Sequence, residues 1–225
     1  MSIRIVDREF SSILLIDDDV AARQAAGYCV EDIELKPIQE DGPIIDMYDY
    51  LDSIEKKAQG VICDQKLKVH DYSRFNGAEI IGALYDRKFP AILCTRFENE
   101  DLDQIRNFRR KVPVLLKPDE LNDDSLVKGL EICINEFNGN ILPSRKPWKT
   151  MIRIENVDYD SNENNPFVYL VIPGWDPSEG IRIYLNDIPT NVRENVKEGE
   201  RLYAQVNLGA ENHEDLFIVG WNKLG

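Results

Sequence analysis

The sequence predicts an α/β chain, with a parallel sheet covered by helices on both faces and a small all-β domain after it. Three observations carry this. Over the first 137 residues, short aliphatic runs alternate with stretches of helical composition or spacing. Near residue 140, glycine and prolines interrupt the pattern. Beyond that point the runs are short, β-branched or aromatic, and divided by Gly, Pro, Asn and Asp.

"SSILLI" (11–16) is an aliphatic run that reads as a buried strand, and the Ala-rich "DVAARQAAGYCV" (19–30) as the helix after it. "IELKPI" (33–38) is a weaker strand, and Pro37 argues for a sheet edge. "IIDMYDYLDSIEKKA" (44–58) spaces Ile44, Met47, Tyr48, Leu51 and Ile54 as a helix does. "GVICD" (60–64) reads as a strand, "NGAEIIGALYDRK" (76–88) as a helix and "PAILCT" (90–95) as a strand. "ENEDLDQIRNFRRK" (98–111) reads as a charged helix, "VPVLLK" (112–117) as a strand and "DDSLVKGLEICINEF" (123–137) as an amphipathic helix. Five βα units with right-handed crossovers predict a (βα)5 domain of flavodoxin-like strand order 2-1-3-4-5.

"NGNILPSRKPWK" (138–149) reads as a linker. The expected division is residues 1–140 for the first domain, 141–148 for the linker and 149–225 for the second. In the latter, "KTMIRIENVDY", "PFVYLVIP", "GIRIYLNDIP", "ERLYAQVNLG" and "DLFIVGW" give five strands, and "IPTNVRENVKEGE" has room for one helical turn. About 80 residues of short strands suggest a small β-barrel, OB-like or SH3-like.

The net charge is −14, which argues against binding nucleic acid through its phosphates. "FRRKV" (108–112) is the one compact basic run and reads as a solvated helix end. Residues 145–225 carry nine basic and thirteen acidic side chains, a net −4. Trp148, Tyr169, Trp175, Tyr184, Tyr203 and Trp221 therefore read as core or interface rather than a base-stacking platform. His213 reads as solvated in a polar turn, and no nucleophile–base pair marks this half as an enzyme. Cys29, Cys63, Cys94 and Cys133 form no CxxC pair and read as free thiols in a reducing compartment. No signal-peptide pattern or membrane-length apolar run is seen, so the expected location is the cytoplasm, away from membranes.

Ligands of open parallel sheets bind beyond the C-terminal ends of the strands. There the first strand ends in Asp17 and Asp18, the third in Asp64, the fourth in Thr95 and the fifth in Lys117. Carboxylates without thiolate or imidazole make a hard, oxygen-only site that suits Mg²⁺, which would relieve their crowding. A carboxylate beside that ion can accept a phosphoryl group, with Lys117 and the Thr95 hydroxyl placed to hold phosphoryl oxygens.

"LLIDDD", "VICDQKL", "AILCTRF" and "VLLKP" resemble, in order and spacing, the receiver (CheY-like) domain of two-component response regulators. The resemblance covers about residues 11–137. It implies that Asp64 is the phospho-acceptor, and that Asp17, Asp18, Asp64 and the Lys66 carbonyl hold the metal. It also implies that Thr95 and Lys117 read the phosphoryl group, and that the phosphodonor is a histidine kinase or phosphotransfer protein. Asp19 reads as the N-cap of the first helix. The chain departs from the family at Arg96, where a small residue is usual, and at Val114, where an aromatic switch residue is common. The loop "QKLKVHDYSRFNG" (65–77) is longer than usual and carries Lys68 near the usual proline position, with His70, Asp71 and Arg74 following. Such a loop could select a partner, lid the site or be a tolerated insertion.

Three functions are open on this reading. One is a phosphorylated signalling protein, not an enzyme, whose β domain binds an effector protein or dimerises. The second is a phosphate reservoir or decoy for a shared kinase, toward which Val114 leans. The third is a phosphorylation-independent interaction module in which Arg96 blocks the phosphate.

Overall fold

The computed structural model describes residues 2–69, 71–96, 99–159 and 165–223. The chain divides into two compact units. The N-terminal one comprises residues 1–98 and 111–141, and the C-terminal one 99–110 and 142–225.

The N-terminal unit opens with an antiparallel hairpin, β1 (Ile3–Ile5) and β2 (Arg8–Phe10). Five parallel strands follow: β3 (Ser12–Ile16), β4 (Lys36–Gln39), β5 (Gly60–Cys63), β6 (Ala91–Cys94) and β7 (Val114–Leu116). Their order is β4-β3-β5-β6-β7, the flavodoxin-like arrangement, with β4 at an edge. Every residue of β3 and β5 is buried, which is why these strands read as unbroken aliphatic runs.

Between the strands run α1 (Val20–Asp32), α2 (Met47–Lys57), α3 (Gly77–Asp86) and, after β7, α5 (Asp123–Phe137). A further helix, α4 (Asn99–Arg106), lies between β6 and β7 in sequence but belongs to the C-terminal unit. Each helix start of the N-terminal unit has its own cap. Asp19 accepts from Ala21 and Ala22, and Asp46 from Asp49, while Asn76 and Asn122 form capping boxes with Glu79 and Ser125. Ile13, Leu15, Ile62, Ile92 and Val114 pack with Leu126, Leu130, Cys133 and Ile134 of α5, and Ile5 and Phe10 of the hairpin join that cluster.

In the C-terminal unit, β8 (Trp148–Asp158), β9 (Phe167–Ile172), β10 (Asp176–Tyr184), β11 (Arg201–Val206) and β12 (Ile218–Lys223) form one antiparallel sheet of order β10-β9-β8-β11-β12. A short α-helical turn, α6 (Thr190–Arg193), lies between β10 and β11. Ile152, Ile154, Val168, Leu170, Ile181, Leu202, Ala204 and Trp221 form the core. The expected β-barrel is not closed. β10 and β12 are the outer strands, and no pairing joins them among the described residues. Helix α4 instead contacts β10 through Asp103, which pairs with Arg182, and reaches the turn before β12 through Arg106. This helix comes from more than forty residues upstream, so the strand pattern alone gives no sign of it.

One other expectation is corrected. "FRRKV" is not a solvated helix end throughout, because Arg109 is buried and pairs with Asp215 at 2.6 Å. Of the aromatics read as core or interface, Trp221 is buried and Trp148 is 52% exposed. All four cysteines are free, with Cys63 and Cys133 buried.

Candidate functional site

Strand register aligns the acids. Ile16 stands opposite Cys63, Cys63 opposite Leu93, and Cys94 opposite Leu116. The next residue on each strand is Asp17, Asp64, Thr95 and Lys117 respectively. Asp17 and Asp64 therefore leave the sheet abreast, with the Asp64 amide donating to the Ile16 carbonyl at 2.8 Å.

Carboxylate oxygens of Asp17, Asp18 and Asp64 lie within 4.8 Å of one another, and all three residues are half-buried. Asp19 has a separate task, since its carboxylate caps α1 at 2.8 Å from the Ala21 amide. The aspartate run is thus divided between a carboxylate cluster and a helix start. Asp17 Oδ1 accepts from the Asp19 amide at 2.8 Å, and Asp64 Oδ2 from the Lys66 amide at 2.7 Å. Burial pushes the Asp17 carboxyl up to about 7, aided by the charges of Asp64, Asp18 and Asp19 and opposed by that amide bond.

The cluster opens into a cavity of about 560 Å³, lined also by Lys66, Thr95, Arg96 and Pro118. Thr95 is buried, and its amide donates to Leu116 O at 3.0 Å. Cys94 lies beside it, its thiol raised to about 12 by burial and by Asp64 and Asp17. Lys117 is at the strand end, and its amide donates to Glu120 at 2.7 Å. Arg96 is exposed. Val114 is buried in the core cluster. Three oxygen donors so close, with Asp17 reluctant to ionise among them, fit a hard divalent cation such as Mg²⁺.

Several neighbours were not singled out by the sequence. Arg23 on α1 is buried, lines the cavity and donates to Asp17 O, to Gln39 Oε1 at 3.2 Å and to Asp41 Oδ1 at 3.1 Å. Its guanidinium also lies 5.8 Å from the Tyr72 ring centroid. Gln65, the residue after Asp64, is buried. Its side-chain oxygen accepts from Ala78 N at 2.9 Å and its carbonyl from Gly77 N at 3.1 Å. The start of α3 is thereby fixed to the Asp64 loop. A Cβ on Gly77 would lie 1.9 Å from the Asp64 carbonyl oxygen, so only glycine fits. Gly77→Ala is expected to cost about 3 kcal/mol by displacing the Asp64 backbone, measured as a lowered urea midpoint.

The long loop is fastened rather than loose. Ile44 bridges Ser73, the Ile44 amide donates to Tyr72 O at 2.8 Å, and the Tyr72 hydroxyl donates to Glu40 O at 2.7 Å. Lys68 pairs with Glu79 at 2.9 Å. His70 lies outside the described residues.

No protein-family model and no curated protein matches the chain. Solved structures similar to it include several response-regulator proteins. A receiver domain protein from Clostridium thermocellum is 16% identical, with 57% of this chain and 97% of that one covered, at a TM-score of 0.42. A receiver protein from Pseudoalteromonas atlantica is 18% identical, with 56% and 98% covered, at 0.40. NtrX from Brucella abortus is 17% identical, with 57% of this chain but 28% of that one covered, at 0.42. These matches fall on the N-terminal part and leave the C-terminal part unassigned.

Proposed function

We propose that the N-terminal unit is a receiver domain and that the chain is a response regulator accepting a phosphoryl group on Asp64. The observation that carries this is the meeting of the Asp17, Asp18 and Asp64 carboxylates at the C-terminal edge of a parallel sheet. An Asp64 oxygen attacks the phosphorus of a phosphohistidine donor. The P–N bond breaks, its electron pair stays with the imidazole, and an aspartyl phosphate forms. Asp17, Asp18, Asp64 and the Lys66 carbonyl would hold Mg²⁺, which when bound neutralises the carboxylates and polarises phosphoryl oxygens. Thr95 and Lys117 hold the transferred oxygens by hydrogen bond and charge.

The acidic balance of the second unit supports output through an effector protein or dimer rather than nucleic acid. No helix among the described residues is long and apolar enough to cross a membrane. We place the protein in the cytoplasm, as a signalling protein rather than an enzyme.

A phosphate reservoir for a shared kinase is the second reading. Val114, buried in place of an aromatic switch residue, favours it. The test is phosphotransfer from a phosphorylated histidine kinase or phosphotransfer protein, with the native chain beside Asp64→Ala. Labelling confined to the native chain supports acceptance at Asp64, and equal labelling or none overturns it. Altered self-association with beryllofluoride and Mg²⁺ then supports a switch by dimerisation, whereas phosphoryl uptake that changes neither association nor effector binding supports a reservoir.

A further inference from the structure

The C-terminal unit encloses several guanidiniums, and their partners differ in charge. Arg109 is buried against the Asp215 carboxylate at 2.6 Å. Arg182 of β10 pairs with Asp103 of α4, and its guanidinium carbon lies 4.4 Å from the Phe167 ring centroid. Arg106 of α4 is 9% exposed, yet its hydrogen bonds go to neutral groups. Its Nη1 donates to the His213 carbonyl at 2.8 Å and to the Leu216 carbonyl at 3.2 Å. Its Nε is buried with no hydrogen-bond partner among the described residues. A buried guanidinium held by carbonyls keeps its charge uncompensated in a medium that penalises charge. Burial accordingly lowers the Arg106 pKa, more than the nearby charges of Asp103, Glu214 and Glu179 raise it.

Arg106 also lines a cavity of about 250 Å³, whose walls include Leu102 and Asp103 on α4 and Ile181 and Arg182 on β10. All of these residues belong to the C-terminal unit. The volume is below the roughly 300–1,000 Å³ of sites for drug-sized ligands, so the cavity suits a small molecule. The charges around it set the valence of that molecule. Asp103 offsets Arg182, and the lining keeps one excess positive charge, on Arg106. His213 is also at the cavity, with Nε2 3.6 Å from the Glu214 carboxylate. With Glu214 and Glu179 so near, a second negative charge on a ligand would be repelled. Leu102 and Ile181 add an apolar wall, and both are buried.

We propose that this cavity binds a short aliphatic monocarboxylate, with a carboxylate oxygen accepting from Arg106 Nε–H and the hydrocarbon against Leu102 and Ile181. The ligand supplies the counter-ion that Arg106 lacks, and a charge-assisted hydrogen bond replaces an orphaned donor. A phosphate or dicarboxylate brings one charge too many, and a halide leaves the apolar wall uncovered. Arg106 stands on the helix and Ile181 on the edge strand, so an occupant of the cavity touches both and fastens α4 to the sheet. The C-terminal unit thereby gains a small-molecule site of its own. The inference goes beyond the receiver reading and does not depend on it.

Nuclear magnetic resonance on the full chain tests it, with sodium butyrate titrated at constant ionic strength. Expected is saturable binding with a Kd of about 1 mM or tighter. The resonances that move should be the Arg106 Nε–Hε pair, assigned through its own backbone, and the amides of 102–106 and 180–182. Inorganic phosphate, succinate and chloride should each bind at least about tenfold more weakly. Arg106→Gln, its fold checked by circular dichroism, should weaken butyrate by at least about tenfold. Where that variant does not fold, movement of the Nε–Hε pair in the native chain decides. Shifts that do not saturate, or that leave the Nε–Hε pair in place, overturn the site and leave a cavity holding water alone. Equal binding of phosphate, succinate or chloride overturns the monocarboxylate assignment. Undiminished butyrate binding by a folded Arg106→Gln overturns the part given to Arg106.

Discussion

Asp17→Asn is expected to stabilise the metal-free protein at pH 7.5 while abolishing most of its magnesium affinity. Burial and three neighbouring aspartates raise the Asp17 carboxyl to about 7, against 3.8 for the free group. Between these values the folded chain holds a proton that the unfolded chain has released. The stability Asp17 contributes is therefore fully present below about pH 4 and is lost as pH rises through about 7. An asparagine is neutral throughout, and its Oδ1 can still accept from the Asp19 amide. After discounting for the solvent that reaches this half-buried group, the gain is about 1 kcal/mol, or roughly 3 °C in Tm. Magnesium affinity moves the other way, falling about a hundredfold with the loss of one oxygen ligand. In the native chain it should fall about tenfold per unit as pH drops below 7, because the ion competes with the Asp17 proton. Thermal melts and magnesium calorimetry between pH 5.5 and 8 measure both effects. A variant that melts lower than the native chain without metal, or binds the ion equally well, would show that the carboxylates are not crowded for a metal's sake.

What the sequence could show depended on whether a residue's role is local. The sheet was legible because buried parallel strands are aliphatic on both faces, and each such run ends abruptly in a polar residue. Because the strands run parallel in one register, those polar residues had to emerge on one edge. Asp19 was legible as a cap because an N-cap bonds its own next turn. Arg23 was not, because an arginine in an Ala-rich helix looks solvent-facing until Asp17, Gln39, Asp41 and Tyr72 converge on it. Gly77 looked like a helix start, and nothing in its neighbours told of the Asp64 carbonyl pressed against it. The strands of the opening hairpin are three residues each, too short for a two-residue period to stand out. Closing the second domain into a barrel was the natural extrapolation from five strands. Helix α4, which joins that domain, is charged and reads as surface, because its partners on β10 and in the turn before β12 lie about eighty to a hundred residues further on.

Arg23→Met should be the more damaging change of the two, and in the opposite direction. The guanidinium is buried, and its donors are shared among the Asp17 carbonyl, Gln39 and Asp41, with the Tyr72 ring close by. Methionine fills much of the same volume but leaves the Asp17 carbonyl and the Gln39 amide oxygen without their donor. Asp41 is 84% exposed and simply returns to water. Stranding those two acceptors is expected to cost about 3 kcal/mol, read as a lower urea midpoint with an unchanged m-value. The loss should reach the acid cluster as well, because Arg23 fixes the backbone from which the Asp17 carboxylate projects. Magnesium affinity is expected to fall about tenfold at saturating pH, with Arg23→Lys intermediate, since an ammonium keeps the charge but lacks the fork that reaches several acceptors. Equal stability of the native chain and the Arg23→Met variant would show that the guanidinium is not holding these segments together. The contacts explain why the long loop after Asp64 is better read as a wall than a lid. Tyr72 anchors it to Glu40 and lies against Arg23, whose guanidinium also grips the first acid loop. A loop held at that point walls one side of the acid cluster, and one cationic side chain ties that wall to the backbone of Asp17.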